Sequence, residues 1–394
     1  MANFGSKLLA QPPALWEGLA MAGEHQKTLE ELAGKNRLRS LSPRAGLDFT
    51  SNDFLGLAES PALADAVRAA LDRGVPVGAG GSRLLRGNHP EHEALEADAA
   101  QFFQAEAALY FPTGFAANAA LAATLPRRDD LLIHDELIHA SLRDGLRGQF
   151  ALAGTAHNDV DAMDQVIKHW RERGGKGQAW IAVETIYSMD GDKAPLRDLA
   201  ALANRHDAML ILDEAHATGV YGPRGRGLAH ELEGKPNVIC LHTCGKAMGA
   251  MGGLVTLPRE LRDFMINRAR SFIYSTAPSP LMAATVRAAL RLMSGMDDDR
   301  DRLHGLVAHL DALLERKLKI APSGTPIQPI LLGSDERAVK VAATLQQAGF
   351  DIRAIRPPTV PEGGARLRLS VTLHADTAAI DRLVDALVGV MEPA

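Results

Sequence analysis

The 394-residue sequence is poor in cysteine, in long apolar runs and in excess charge. Its only cysteines, Cys240 and Cys244, are spaced C-x-x-x-C, which fits neither a disulfide framework nor a four-ligand zinc site. So few cysteines predict a reducing, cytoplasmic environment. No run approaches the roughly 20 apolar residues of a membrane span, and we expect no signal peptide because prolines and Glu17 interrupt the first apolar run. The 43 basic residues against 48 acidic ones, a net charge of −5, predict no nucleic-acid or membrane partner.

Short apolar runs are abundant, and helical patterns separate them. Five runs of four to seven residues lack polar alternation, which is typical of parallel strands covered on both faces. Their alternation with helices predicts an α/β fold with a doubly wound, mostly parallel sheet. The runs cover residues 108–111, 130–135, 179–184, 208–214 and 237–243.

Length and pattern together divide the chain into three predicted parts. At roughly 150 residues per domain, two or three domains fit the length. Residues 1–50 predict an N-terminal helical segment, with a helix from about Ala14 to Ala33. Residues 51–290 predict the large α/β domain. Residues 291–394, in which helices and strand-like runs alternate on a smaller scale, predict a C-terminal α+β domain packed against it.

A glycine-containing turn follows the first of the apolar runs. In an open α/β sheet, ligands bind at the carboxyl ends of the strands. Thr113, Gly114 and Phe115 stand at such an end and begin a predicted helix. The N–H groups of a helix start can hold a phosphate, although a plain strand-to-helix turn is the alternative.

An acidic and a basic residue follow two later runs. Asp213 ends a buried run, where an unpaired carboxylate is costly, so it must meet a cation or a hydrogen-bond donor. A structural salt bridge is the alternative to a functional role shared with His216. Lys246 lies among glycines and small apolar residues, which favours a buried amine suited to Schiff-base chemistry over a surface charge. An amine, a buried carboxylate and a phosphate-binding turn are what pyridoxal 5′-phosphate (PLP) requires, so the sequence predicts a PLP site.

Three other motif interpretations fit less well. The run GAGGSR has Arg83 where the third glycine of a dinucleotide-binding turn belongs. Residues 213–216 spell the helicase-like box Asp-Glu-Ala-His, but the G-x-x-x-x-G-K-[ST] sequence that a DEAH-type ATPase needs is missing. A metal site among the histidines and Asp213 is disfavoured because no two histidines pair as H-E-x-x-H, so we predict no metal.

Eight motifs run in order along nearly the whole chain and carry a resemblance. They are SNDFLGLA (51–58), TGFAANAA (113–120), HASLRDG (139–145), YSMDGDKAPL (187–196), DEAHATGVYGPRGRG (213–227), TCGKAMG (243–249), IYSTAPSP (273–280) and IRPPTVPEGGARLRLSVTLHA (355–375). This set resembles the α-oxoamine synthases, PLP-dependent transferases of fold type I. The resemblance implies a large domain with a mostly parallel, seven-stranded sheet, a smaller C-terminal domain, and a homodimer with a shared active site.

The resemblance also implies the residues that bind and use PLP. Lys246 would carry the cofactor covalently as an aldimine, and Asp213 would partner the pyridine nitrogen. His139 would stack on the ring. The implied catalytic residues are Lys246, Asp213, His139 and His216. The implied cofactor-binding residues are Gly114, Phe115, Ser188, Asp213, His216, Thr243 and Lys246, with Ser275 and Thr276 reaching the phosphate from the second subunit.

The activity that the resemblance implies is a decarboxylative condensation of an amino acid with an acyl thioester. The motifs IYST, IRPPTVP and RLRLS favour L-alanine with a pimeloyl thioester, carried on CoA or on a carrier protein. A sibling enzyme that uses glycine and another acyl-CoA is the alternative. Arg368 would grip the amino-acid carboxylate, with Arg366 as the alternative on the same strand face. The implied substrate residues are Arg37, Asn52, His139, Thr359 and Arg368.

Overall fold

The computed structural model describes residues 20–146, 148 and 150–391 of the chain. The strands are β1 Leu47–Asp48, β2 Ala107–Phe111, β3 Leu131–Asp135, β4 Ala151–Thr155, β5 Ala179–Glu184, β6 Met209–Asp213, β7 Val238–Thr243, β8 Gly253–Leu257, β9 Ile327–Gly333, β10 Phe350–Asp351, β11 Ala354–Ile355 and β12 Ala365–Ser370. The α-helices are α1 Ala20–Gly34, α2 Pro61–Asp72, α3 Pro90–Phe103, α4 Gly114–Thr124, α5 Ala140–Gly145, α6 Val160–Glu172, α7 Leu196–His206, α8 Arg259–Arg268, α9 Arg270–Ile273, α10 Pro280–Ser294, α11 Asp297–Leu313, α12 Asp335–Gln347 and α13 Thr377–Met391.

A seven-stranded sheet forms the centre of the molecule, in the order β2-β8-β7-β6-β5-β3-β4. Strand β8 runs antiparallel to both of its neighbours, and the other neighbouring pairs are parallel. This mostly parallel sheet with helices between its strands confirms the predicted fold class. Because only β8 is reversed, β2, β3, β5, β6 and β7 all end at the same edge of the sheet.

All five predicted apolar runs fall in strands, but two strands of the central sheet were missed. Strand β4 reads ALAGT, which is small and weakly apolar because it is a sheet edge that is largely exposed. Strand β8 begins at Gly253, directly after the glycines that follow Lys246, so no turn signal in the sequence separates it from that loop. Both strands are recognisable only from their pairing partners.

A smaller antiparallel sheet lies in the C-terminal part of the chain, in the order β11-β12-β9. A two-stranded parallel pair joins β1 to β10 and so ties the N-terminal segment to this region. Helix α1 covers most of the predicted helix from Ala14 to Ala33, and residues 14–19 lie outside the described residues. The domain boundaries near residues 50 and 290 stay predictions.

The main buried apolar cluster is shared by both halves of the chain. It includes Phe54 and Met248 from the large domain and Leu310 and Leu367 from the C-terminal part, all with less than 1% of their surface exposed. The C-terminal part is therefore packed firmly against the rest of the molecule. Within the part of the chain that the structure describes, no helix combines the length and apolar character needed to cross a bilayer.

Candidate active site

Five loops meet at the carboxyl edge of the central sheet, one after each of β2, β3, β5, β6 and β7. Each loop carries residues that the sequence predicted for the cofactor. They are Gly114 and Phe115 after β2, His139 after β3, Ser188 after β5, Asp213 and His216 at the end of β6, and Thr243 and Lys246 at the end of β7. The parallel order of the strands thus gathers residues from more than 130 positions of sequence into one site.

The amine of Lys246 faces the imidazole of His216, with 3.0 Å between Nζ and Nε2. Burial and the neighbouring Lys246 charge lower the pKa of His216 well below its usual value, so the imidazole is neutral near pH 7. Burial also lowers the pKa of Lys246, against the opposing effects of Asp213 and Glu184. A lowered pKa favours the unprotonated amine, which is the nucleophilic form.

Glycine allows the loops around Lys246 to pack this closely. A Cβ atom on Gly219 would lie 2.6 Å from the Cβ of Ala247, and the φ of +85° also favours glycine there. A Cβ on Gly249 would collide with the backbone of Ala58. These two glycines therefore allow the loop after β6 to contact the loop after β7, and the loop after β7 to contact Ala58. This close packing brings His216 and Lys246 together.

Asp213 is a buried carboxylate held by two hydrogen-bond donors. Nδ2 of Asn118 donates to its Oδ2 at 2.6 Å, and the amide of Ala215 donates to its Oδ1 at 3.0 Å. No salt bridge to Asp213 occurs among the described residues, which removes the structural ion pair as an explanation of this residue. A buried carboxylate without an ion-pair partner is well placed to meet a positively charged ligand group.

Asn118 and Ser141 complete the support of Asp213, and neither is among the site residues predicted from the sequence. Nδ2 of Asn118 also donates to Oγ of Ser141 at 3.0 Å, and both side chains are buried. Asn118 is the only polar side chain among small apolar ones in the middle of α4. An amide on an otherwise apolar buried helix was the feature that could have revealed it.

His139 lies at the start of α5, where its Nδ1 and the Oγ of Ser141 are 2.7 Å apart. Its ring stands edge-on to the ring of Phe115, with 6.5 Å between ring centroids. Burial lowers the pKa of His139, and the charge of Lys246 lowers it further against an opposing effect of Asp213. A neutral, aromatic ring beside Asp213 and Lys246 suits stacking on a flat heterocycle.

The start of α4 and the end of β7 form a cradle for an anion. Thr113 caps α4 by accepting a hydrogen bond from the amide of Ala116 at 3.0 Å, which leaves the first amides of the helix directed outward. A Cβ on Gly114 would lie 2.6 Å from Oγ1 of Thr243, so the missing side chain keeps the space beside this hydroxyl open. The start of the helix and one hydroxyl group therefore lie next to each other, which is a suitable arrangement for a phosphate.

We expect Gly114→Ala to weaken PLP binding by about tenfold or more, because the added methyl group would occupy the space beside Oγ1 of Thr243. Equilibrium dialysis of the protein against PLP measures this change directly. The matched control is Gly78→Ala, since a Cβ there would meet no atom within 4 Å. Equal affinities for the wild type and Gly114→Ala would contradict the assignment of this cradle to the phosphate.

Arg368 is a buried arginine whose hydrogen bonds all go to uncharged acceptors. Nε donates to the carbonyl of Ser188 at 2.5 Å, Nη1 to Oγ of Ser370 at 2.8 Å, and Nη2 to Oδ1 of Asn52 at 2.8 Å. Burial lowers its pKa to about 10. The guanidinium is therefore still charged at pH 7, fixed in position, and without a carboxylate partner among the described residues.

Arg366 differs from Arg368 in having an anionic partner. Nη1 of Arg366 forms an ion pair with Asp190, and Nε donates to the carbonyl of Gly364 at 2.9 Å. Both arginines contact the loop after β5, as their shared strand face predicts. Of the two, Arg368 has the positive charge that is free to hold a substrate carboxylate.

Arg37 is half-buried and contacts the loop 356–362, which carries the exposed Thr359. The guanidinium of Arg37 is bonded to Asp335 at 2.6 Å and to Glu362 at 2.5 Å, so two carboxylates of this chain already occupy it. Thr359 is exposed and accepts a hydrogen bond from Arg39 at 3.2 Å. Their roles as substrate contacts stay predictions.

Ser275 and Thr276 lie between α9 and α10, in a segment near the surface. The amide of Ala277 donates to the carbonyl of Gly81 at 2.9 Å, which ties this segment to the loop GGSRLLRGN. Arg83 fixes that loop through a two-pronged ion pair with Glu96, at 2.8 and 3.0 Å. The predicted contact of Ser275 and Thr276 with a phosphate in the second subunit stays a prediction.

A cavity of about 970 Å³ opens beside His139 and Ser188. It extends toward Thr359 and is bordered by the side chains of Arg39 and Arg143. The cavity therefore connects the carboxyl edge of the sheet with the exposed Thr359, and its walls combine apolar residues with arginines and with the acidic side chains of Glu136, Asp190 and Asp192.

The residues at this edge fit PLP in each part of that molecule. Lys246 offers an amine for its aldehyde, Asp213 a buried anion for its ring nitrogen, and the start of α4 an anion cradle for its phosphate. Two buried polar atoms at this edge have no hydrogen-bond partner among the described residues. They are Oδ1 of Asn118 and Nδ1 of His216. A polar ligand in this site would account for such atoms.

Comparison with known proteins agrees with this chemistry. The family model "aminotransferase class I and II" matches residues 44–387. An 8-amino-7-oxononanoate synthase from Chromobacterium violaceum is 42% identical over 347 residues, which cover 88% of this chain and 89% of that protein. The crystal structure of 8-amino-7-oxononanoate synthase from Francisella tularensis superimposes with a TM-score of 0.74 at 27% identity, covering 87% of this chain and 97% of that one.

A second solved structure, of SPT with a PLP internal aldimine, superimposes with a TM-score of 0.84 at 25% identity and covers 94% of this chain and 96% of that chain. The match therefore spans both the large sheet and the C-terminal part. On this evidence, the chain belongs to the aminotransferase class I and II family, with the PLP-dependent fold type I architecture, and within it to the 8-amino-7-oxononanoate synthases, acyltransferases of biotin biosynthesis.

Proposed function

We propose that this protein condenses L-alanine with a pimeloyl thioester, on CoA or on a carrier protein, and releases 8-amino-7-oxononanoate, carbon dioxide and the free thiol. The observation that carries this proposal is Arg368, a fixed, buried cation with only uncharged partners, at the same sheet edge as the Lys246–His216 pair. An α-amino acid brings one carboxylate and one amine. The site offers one group for each of them.

We infer further that PLP is bound covalently to Lys246. When bound there, PLP supplies an electron sink that stabilises negative charge at the α-carbon of an amino acid. Asp213 would hold a proton at the ring nitrogen, since its carboxylate has hydrogen-bond donors but no other cation. His139 would cover one face of the ring, and Thr243 with the Gly114 and Phe115 amides would bind the phosphate.

Lys246 also has the position of a general base. Its Nζ lies 3.0 Å from the neutral imidazole of His216, whose Nε2 can accept a hydrogen bond from it once a substrate amine has replaced the lysine. Burial favours the unprotonated amine, which can remove the α-proton of alanine. The α-carbon then attacks the thioester carbonyl, and the thiolate leaves and takes up a proton. The resulting β-keto acid loses carbon dioxide, and the α-carbon takes up a proton in its place.

Arg368 would orient the amino acid through its carboxylate. Because Ser188, Asn52 and Ser370 fix the guanidinium from three sides, the substrate carboxylate is held in one direction relative to Lys246. The cavity lined by Thr359 and Arg143 would receive the acyl donor. Ser275 and Thr276 would act in the neighbouring site of a homodimer, and the cytoplasmic location inferred from the few cysteines belongs to the same proposal.

We expect Arg368→Ala to raise the KM for alanine by roughly 10- to 100-fold, because hydrogen bonds to a charged group contribute about 1.5–3 kcal/mol. The KM for the acyl donor should change much less. Arg366→Ala is the matched control, since Arg366 is already paired with Asp190. A larger rise in the KM for alanine in Arg366→Ala than in Arg368→Ala would show that the wrong arginine was chosen.

Thiol release with four substrate pairs tests the proposed reaction. Alanine or glycine is combined with pimeloyl-CoA or acetyl-CoA, and thiol and carbon dioxide are measured together. The proposal predicts equal amounts of both products, and the highest kcat/KM for alanine with pimeloyl-CoA. Preference for glycine with acetyl-CoA would instead identify a sibling α-oxoamine synthase.

A further inference from the structure

Glu184 is a buried carboxyl group beside the candidate site that none of the roles above uses. It ends β5, and its register partner in β6 is Asp213, so the two carboxyl groups leave adjacent strands at the same edge. Only 3% of Glu184 is exposed. Its Oε2 accepts a hydrogen bond from the amide of Ser188 at 3.0 Å, and its Oε1 is buried with no partner in the described ranges.

Glu184 and Arg368 are bonded to opposite sides of Ser188. The amide of Ser188 donates to Glu184, and its carbonyl accepts the bond from Nε of Arg368 at 2.5 Å. The negative charge of Glu184 raises the pKa of Arg368 against the stronger lowering effect of burial. Since the direct partners of Arg368 are uncharged, Glu184 is the acidic group whose charge acts on this guanidinium.

Two adjacent carboxyl groups in a site shielded from water do not both ionise at low cost. Asp213 has hydrogen bonds from two donors, whereas Glu184 has one from a backbone amide. Burial and the charge of Asp213 raise the pKa of Glu184 to about 8, against the opposing effect of Lys246. Near neutral pH, therefore, Glu184 holds its proton.

We propose that Glu184 is a titratable counter-charge that sets the strength with which Arg368 binds the substrate carboxylate. While Glu184 is protonated, Arg368 presents an uncompensated positive charge to the amino acid. When Glu184 loses its proton, its negative charge offsets that of Arg368 and repels the incoming carboxylate. Glu184 is thus a positioning residue, and the inference rests on the proposed function because it takes Arg368 as the carboxylate clamp.

The groups that face Glu184 come from three other elements: Asp213 from β6, Lys246 from the loop after β7, and Arg368 from β12. The charge of Lys246 also acts on His216 and His139. Burial lowers the pKa of each histidine, so both stay neutral at and above pH 7. Lys246, whose pKa burial lowers, and the amine of alanine are titratable as well. The experiment must therefore separate Glu184 from these two amines.

The test uses the PLP-loaded protein and L-alanine without an acyl donor, and follows binding through the change in visible absorbance. The Kd for alanine is measured from about pH 7 to about pH 9 in the wild type and in Glu184→Gln. Glutamine keeps an oxygen that can accept the Ser188 amide but cannot ionise. The ratio of the two Kd values, wild type over variant, cancels the ionisation of alanine. Because Glu184 raises the pKa of Lys246, the ionisation of Lys246 cancels only when two ligands are compared in the wild type, as described below.

We expect this ratio to be near one at the acidic end and to rise roughly tenfold at the alkaline end. Glu214→Gln is the matched control, because Glu214 is also a buried glutamate whose pKa burial raises, to about 7. Its neighbours are His242 and Glu233, and its Oε1 accepts the amide of Ala229. The same ratio for this variant should stay flat with pH. A flat ratio for Glu184→Gln, or an equal rise for Glu214→Gln, overturns the proposal.

A ligand comparison keeps the proposal testable if Glu184→Gln does not fold. L-Alaninamide lacks the carboxylate, so after correction for the amine ionisation of each ligand, only the wild-type Kd for alanine should rise above about pH 8. If the Kd values of the two ligands change with pH in parallel, the proposal that Glu184 acts as a counter-charge is overturned. Absence of any saturable response to alanine in the wild type would instead defeat the proposed function, which separates the two failures.

Discussion

Lys246→Ala should lose activity by about 10³-fold or more and should lose the visible absorbance of bound PLP. The substitution removes the amine that attaches the cofactor and also the base that moves the α-proton, and general acid–base catalysis alone contributes 10²- to 10⁴-fold in typical enzymes. Steady-state thiol release and an absorbance spectrum of the purified protein measure the two losses. His216 would keep its place, since Gly219 and not Lys246 sets the packing of its loop.

Lys193→Ala provides a matched control for this experiment. Burial lowers the pKa of Lys193 as it does that of Lys246, but the ammonium of Lys193 lies 4.5 Å from the ring centre of Tyr221. The Lys193 variant should keep the absorbance of the bound cofactor. If Lys246→Ala keeps both absorbance and turnover, or Lys193→Ala loses them, then Lys246 is not the reactive amine.

Asp213→Asn should bind PLP but lower turnover by about 100-fold or more, the second largest effect that we expect. A neutral amide cannot hold a proton at the ring nitrogen, and loss of a charge-assisted hydrogen bond costs about 1.5–3 kcal/mol by itself. Exchange of the α-proton of alanine in heavy water, followed by NMR without an acyl donor, isolates the step concerned. Exchange should slow in parallel with turnover.

Asn118→Ala tests the role of Asp213 by changing an uncharged residue that donates a hydrogen bond to its carboxylate. It removes the 2.6 Å hydrogen bond that holds Oδ2 of Asp213 but leaves the carboxylate in place. The loss of α-proton exchange should therefore be smaller than in Asp213→Asn. Normal exchange in Asp213→Asn, or a larger defect in Asn118→Ala, would contradict the role given to Asp213.

The sequence was sufficient for the parts of the fold that depend on local pattern. The apolar runs that became β3, β5, β6 and β7 are buried on both faces, so their composition alone distinguishes them. Strand β4 was not predicted because an exposed edge strand needs little apolar surface. Strand β8 was not predicted because it begins at a glycine and is defined by its antiparallel pairing with β2 and β7. The local sequence pattern carries no information about that pairing.

Some site residues are likewise recognisable from the local sequence, whereas the importance of others depends on contacts in the folded chain. Asp213 and Lys246 stand out locally, because a charge at the end of an apolar run has few explanations. Glu184 has the same position at the end of β5, yet its importance arises from Asp213 and Arg368, which are 29 and 184 positions away. Arg366 and Arg368 share one strand face, and only the position of Asp190 in the folded chain distinguishes the paired arginine from the free one.

Reductive trapping tests the central claim, that the amine of Lys246 is the reactive centre of a PLP site. The PLP-loaded protein is treated with borohydride, digested, and searched by mass spectrometry for the lysine that carries the cofactor. The account predicts that the modification lies on the peptide containing Lys246 and disappears when L-alanine is added first, because the substrate amine displaces the lysine. Modification of another lysine, or a label on Lys246 that alanine does not displace, would contradict it.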